Sequence, residues 1–216
     1  YKEIQGFPIQ NLSSDPVPFA QAKENNPYAG VWSSGGSLNS AKSDGASVGL
    51  LTAALYTGGE PGSLTETELY DGSSWTEVAD LNTGRSALAA AGIQTAAVAF
   101  GGKTPSVDQN ALNESWNGSA WTEVADLNTA RRSLTGVGVQ TLALAAGGLT
   151  PPRVTNVELW DGSSWTETTD MSTTASSRGG AGSQTSAIVF AGRLDPPASN
   201  NYTAAAEVWN GSSWTE

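Results

Sequence analysis

The chain has 216 residues, with 10 Lys and Arg against 21 Asp and Glu for a net charge of −11, and neither cysteine nor histidine. An acidic chain repels phosphate backbones, which argues against nucleic acid as a partner. The missing side chains exclude disulfides, thiol nucleophiles, zinc sites of the usual kind and every His-dependent triad or copper centre, leaving carboxylates and carbonyls, which suit calcium if any metal at all.

Residues 1–30 are rich in Pro and Asn, as in Asp15-Pro16-Val17-Pro18 and Asn25-Asn26-Pro27-Tyr28, and show no repeat. They read as a leader or docking segment. The chain begins at Tyr1 with no initiator Met and no signal-peptide pattern, so a targeting signal before it stays open. No run approaches the roughly 20 apolar residues of a membrane helix.

From residue 31 onward the chain repeats. Its clearest ruler is Trp75, Trp121, Trp165 and Trp214, spaced 46, 44 and 49 residues apart. Each follows a turn signature: Asp71-Gly72-Ser73-Ser74, Asn117-Gly118-Ser119-Ala120, Asp161-Gly162-Ser163-Ser164 and Asn210-Gly211-Ser212-Ser213. Asp-Gly and Asn-Gly between strand-like runs predict a type I′ hairpin, which needs positive φ at both central residues. A second ruler is Gly58-Gly59, Gly101-Gly102 and Gly147-Gly148, with Ala191-Gly192 in the last copy. A run of small and apolar residues leads into each pair, and another Ala/Gly-rich run ends at Gln94, Gln140 or Gln184.

Each repeat therefore reads as strand a (Ala/Gly-rich), strand b (ending at the glycine pair), strand c (ending at Tyr70, Trp116, Trp160 or Trp209) and strand d (the Trp strand). Four antiparallel strands per 43–49 residues make a blade of an all-β propeller, with the domain at 31–216. Innermost strands converge at the propeller axis and favour Ala and Gly; outer strands accommodate Trp. A helical reading of the Ala-rich runs fails on their glycines, threonines and flanking turn pairs.

One strand is surplus. Trp32 to Lys42 spans ten residues, as do Trp75 to Arg85 and Trp121 to Arg131, so a strand d precedes the four full blades. Sheet edges are commonly protected by closing the ring with strands from both ends. With a strand d at either end, the expectation is that sequence beyond 216 completes the ring.

The glycine pair after an apolar strand, an aromatic 11–17 residues on and a Trp five beyond it resemble the kelch repeat over residues 31–216. Departures are Ala191-Gly192 and Ala175, where other copies carry Arg or Lys. The string over residues 70–85 and the opening Tyr1-Lys2-Glu3-Ile4-Gln5-Gly6-Phe7 are similar to structural proteins of marine bacteriophages, notably those infecting cyanobacteria. That resemblance implies a non-enzymatic virion component, tail-fibre, tail-associated or capsid-displayed. It would use residues 1–30 against other virion proteins, contact a host-surface glycan or protein, and form a homo-oligomer in the particle. It implies no cofactor. The alternatives are a carbohydrate-degrading propeller working through carboxylates and a cellular kelch-type interaction module.

The recurring Trp residues read as core rather than sugar platforms. Asp80, Asp126 and Asp170, with Arg85, Arg131 and Arg178 five to eight residues later, read as ion pairs or turn caps in the d-to-a connections. Glu66 and Glu68 are expected to face solvent. Paired catalytic carboxylates would break the repeat symmetry, and none stands out. Asp71-Gly72-Ser73-Ser74-Trp75 does not match the Asp box of sialidases, and a galactose-oxidase-type centre lacks its His and Cys.

What varies is the b-to-c connections, at 60–67, 103–113, 149–156 and 193–205, which share one face with the d-to-a connections. Binding commonly resides on variable loops over a rigid scaffold. The candidate contact residues are Glu60, Pro61, Lys103, Pro105, Asp108, Pro151, Arg153, Arg193, Asp195, Asn200 and Tyr202. No metal site is expected.

Overall fold

The computed structural model describes residues 34–195 and 201–216. The leader at 1–30, the strand expected at Trp32, and Pro196, Pro197 and Asn200 lie outside them. The described chain is all β: sixteen strands form four antiparallel four-stranded sheets, each ordered a-b-c-d as in the sequence. Blade 1 holds β1 (Ala46–Leu50), β2 (Ala53–Thr57), β3 (Thr67–Tyr70) and β4 (Trp75–Glu77). Blade 2 holds β5 (Ala89–Ile93), β6 (Ala96–Phe100), β7 (Asn113–Trp116) and β8 (Trp121–Val124). Blade 3 holds β9 (Thr135–Val139), β10 (Leu142–Ala146), β11 (Val157–Trp160) and β12 (Trp165–Glu167). Blade 4 holds β13 (Gly179–Ser183), β14 (Ser186–Phe190), β15 (Ala206–Trp209) and β16 (Trp214–Thr215). These are the four blades of a β-propeller.

Strands a meet one another across blades, β1 against β5, β5 against β9 and β9 against β13. That is why Ala and Gly predominate in them. The core lies between blades, because each sheet has two apolar faces. Ala89, Ala91, Val98 and Phe100 on the forward face of blade 2 pack on Ala143, Ala145, Trp160 and Trp165 at the back of blade 3. Phe100 meets Trp165 edge-on, ring centroids 4.8 Å apart. Equivalent layers join blade 1 to blade 2 around Leu55 and Trp116, and blade 3 to blade 4 around Leu144 and Trp209. Trp116, Trp160 and Trp209 of the strands c are fully buried; of the Trp ruler, Trp121 and Trp165 are buried between blades, whereas Trp75 and Trp214 are half-buried.

The forward face of blade 4 differs. Ile188 and Phe190 occupy the positions of Val98 and Phe100, yet are 38% and 43% exposed where those two are wholly buried. Among the described residues no sheet covers this face. It also accounts for Ala191. The first glycine of each pair is left-handed (Gly101, φ 67°), and Ala191 adopts the same φ of 58°. A Cβ on Gly101 would stand 2.7 Å from the Arg131 carbonyl and 2.9 Å from Leu134, both of the next blade. Among the described residues blade 4 meets no such neighbour there, so the Ala191 Cβ is tolerated.

The c-to-d loops correct the type I′ expectation. Tyr70 pairs with Trp75, so the loop spans four residues. Gly72 is left-handed at φ 97°, whereas Asp71 is not. The acid works through its side chain: Asp71 Oδ1 accepts from the Ser73 and Ser74 backbone N–H groups and from Ser73 Oγ. Those donors hold the Asp71 and Asp161 carboxyls down to about 2 from an ordinary 3.8. A carboxyl whose folded pKa is depressed stabilises the fold above its unfolded pKa and loses that contribution as pH falls through the folded one. Asn117 and Asn210 accept the same bonds without titrating. The Asp71→Asn/Asp161→Asn double variant is therefore expected to lose less stability than the wild type between about pH 4 and 2. Superimposable acid-unfolding curves would contradict this.

A second correction concerns the arginines. Arg85 pairs with Glu114 (3.0 Å), Arg131 with Glu158 (2.5 Å) and Arg178 with Glu207 (3.1 Å), so the partners are strand-c glutamates, not the aspartates of the connections. Both partners are buried in every pair. Each carboxylate also accepts backbone N–H groups of the incoming connection, as Glu114 does from Asn82 and Thr83. The guanidiniums donate to carbonyls of strand b and its flank, as Arg85 does to Ala99 and Gly101. Burial pushes Arg85 and Arg131 below the usual guanidinium value, and the facing carboxylates oppose it. Asp80 and Asp170 are exposed and accept hydrogen bonds from Thr65 and Thr155, and the exposed Asp126 accepts from the Asn113 N–H. Glu68, expected at the surface, is likewise buried, with Lys42 at 2.6 Å. Residues 35–42 thus repeat the connection that enters blades 2 to 4, with Asn39 on Glu68 as Asn82 is on Glu114.

Candidate binding site on the loop face

One short antiparallel bridge in each blade ties the incoming connection to the start of its b-to-c loop: Ser43 with Glu60, Ser86 with Lys103, Arg132 with Leu149 and Ser176 with Arg193. These bridges put both sets of loops on one face, as the strand order requires. The polar residues of this face then cross the junctions. Glu60 of blade 1 meets Lys103 of blade 2 at 2.9 Å, Asp108 of blade 2 meets Arg132 of blade 3 at 3.1 Å, and Arg153 of blade 3 pairs with Asp195 of blade 4. Arg153 Nε donates to Ser176 Oγ at 2.8 Å, and its backbone N–H donates to Asp195. Much of the variable loop chemistry is therefore stitching between blades.

Two clefts remain between the stitches. The first, about 400 Å³, is lined by Glu60, Lys103, Pro105 and Asp108 with Ser63 and Val107. The second, about 540 Å³, lies between blades 3 and 4 and is lined by Arg132, Pro151, Pro152, Arg153, Arg193 and Asp195 among others. Both fall within the usual range for ligand sites, roughly 300–1,000 Å³. Of the expected contact residues, Pro61 is exposed and lines neither cleft, and Asn200 lies outside the described residues. Tyr202 is 65% exposed and bridges Arg193 backbone to backbone. The expected set did not include Arg132. It stands where the other copies carry Ser43, Ser86 and Ser176, so departure from the repeat was the available signal.

The carboxylates here are engaged. The Lys103 ammonium, the Ser86 hydroxyl and the Gly62 N–H hold Glu60 at about 2 against an ordinary 4.5. A carboxylate pinned in this way is a weak general base near neutral pH. Among the described residues no group of three or more Asp and Glu is placed to hold a metal ion. The arrangement can hold a ligand by charge and hydrogen bonding on a rigid frame. The class defined by fold and face is a β-propeller with a cleft-bearing loop surface. No protein-family model and no curated protein matches the chain.

Proposed function

We propose that the chain is a non-enzymatic binding propeller that meets another molecule through its loop face. The observation that carries this is the second cleft, in which three guanidiniums gather on a protein of net charge −11 while the acids lining the two clefts are tied into ion pairs. The setting we propose is a bacteriophage particle, tail-associated or displayed, with residues 1–30 docking to other virion proteins and copies assembled together. The support for that setting is the resemblance of the repeat string over residues 70–85. The partner is a host-surface glycan or protein.

Purified protein incubated with host cells and with their isolated surface polysaccharide tests the reading. Retention on the surface with polysaccharide of unchanged length is the expected result. Shortened chains would replace it with a degrading enzyme, and loss of all surface retention would remove the binding role. Detection of the chain in the protein inventory of purified particles tests the setting separately.

A further inference from the structure

The second cleft has an excess of positive charge that the first cleft lacks. Three cations line it, Arg132, Arg153 and Arg193. Arg132 is matched by Asp108 and Arg153 by Asp195. Arg193 makes no side-chain hydrogen bond or ion pair among the described residues. Three cations against two anions leave one positive charge, and it resides on Arg193. The chain has only 10 basic residues, so three of them in one cleft is a local concentration set against an acidic background.

The walls narrow the ligand. Leu149, Pro151 and Pro152 supply an apolar side, and Ser133, Ser176 and Ser177 supply small polar groups. Tyr202 is exposed and pairs with Arg193 across a short antiparallel bridge, which starts the two side chains from the same side of the ladder at the edge of the cleft. A planar guanidinium fork matches a carboxylate with two parallel hydrogen bonds. An exposed aromatic face beside it suits the apolar face of a pyranose ring.

We propose that this cleft is a carboxylate-binding subsite for an acidic sugar, a uronate residue of a glycan, with Arg193 as the fork, Arg132 and Arg153 as the supporting field and Tyr202 as the platform. The proposal rests on the binding reading above and specifies its ligand. No bond is made or broken; the site recognises.

Titration of the whole chain with oligogalacturonate, with the same oligosaccharide methyl-esterified, with neutral maltooligosaccharide and with oligoglutamate tests it. The expected result is binding of the free uronate alone, weakening as salt rises. Arg193→Gln is expected to weaken it at least about tenfold, since hydrogen bonds to a charged group carry that much. Tyr202→Ala is expected to weaken it less, and neither should shift the thermal midpoint, because both side chains are exposed. Equal binding of the esterified sugar would overturn the carboxylate assignment while leaving a glycan-binding face. Preference for oligoglutamate would overturn the sugar assignment, and uronate binding indifferent to Arg193→Gln would overturn the site. Absence of uronate binding alongside retention on host cells would remove this ligand and leave the binding role intact.

Discussion

Glu158→Ala is expected to destabilise the protein by about 3–5 kcal/mol, the cost of stranding a buried charge. Arg131 would keep its bonds to the Thr129 and Ala145 carbonyls and lose its paired carboxylate. The Asn128 and Thr129 backbone donors would be orphaned together, because Glu158 accepts from both. Replacing the pair with Arg131→Met and Glu158→Leu is expected to cost less than Glu158→Ala alone, since no buried charge is then unmatched. Urea midpoints of the three variants measure this. A Glu158→Ala loss below about 1 kcal/mol, the range of exposed pairs, would show that water reaches the site.

Phe100→Ala and Phe190→Ala form a matched pair with opposite expectations. The two residues hold the same strand position and differ in what lies in front of them. Phe100 is buried against Trp165, and its truncation is expected to cost about 3–5 kcal/mol. Phe190 is 43% exposed, and its truncation is expected to cost about 1 kcal/mol or less. Equal losses would mean that a partner covers the forward face of blade 4 in solution, and that second result would appear first as a concentration-dependent melting temperature.

The blades were legible because their constraints are local. A left-handed residue after strand b favours glycine, a strand-to-strand reversal favours a turn residue, and both recur every 43–49 residues. The turn type was not legible. Asp71 signals its loop through the hydrogen bonds its side chain accepts rather than through its own φ, and sequence shows only that it is Asp. Glu68 was misread because an acid in a strand usually faces water, and Glu114, Glu158 and Glu207 were not singled out at all. The available signal was their register: Glu68, Glu114, Glu158 and Glu207 each stand two residues before the strand-c aromatic.

Arg178 shows how alignment by position hides an arrangement that recurs in space. Blade 4 has Ala175 at the arginine position and Arg178 three residues on, where blades 2 and 3 have Leu88 and Leu134. From that second position the guanidinium still reaches Glu207. The loop face was legible as a location and less so as chemistry. Six of its expected charged residues, Glu60, Lys103, Asp108, Arg153, Arg193 and Asp195, line the two clefts, and five of them are ion-paired across blade junctions. Sequence cannot show such pairing, because the partners are 24 to 43 residues apart.

The bare forward face of blade 4 sets an order of events as well as a surface. In a stack whose units hold mainly through their neighbours, stability is a sum of unit and junction contributions. Among the described residues, blades 2 and 3 are clasped on both sides, and blades 1 and 4 on one. Amide exchange in this chain should therefore run faster in β1 to β4 and β13 to β16 than around β6 and β10. The arginine cleft straddles the junction of blades 3 and 4, with Arg132 and Arg153 on one bank and Arg193 on the other. It exists only while blade 4 is seated, so an occupant that bridges the two banks would slow exchange throughout that blade, and the breathing of blade 4 would set part of the affinity.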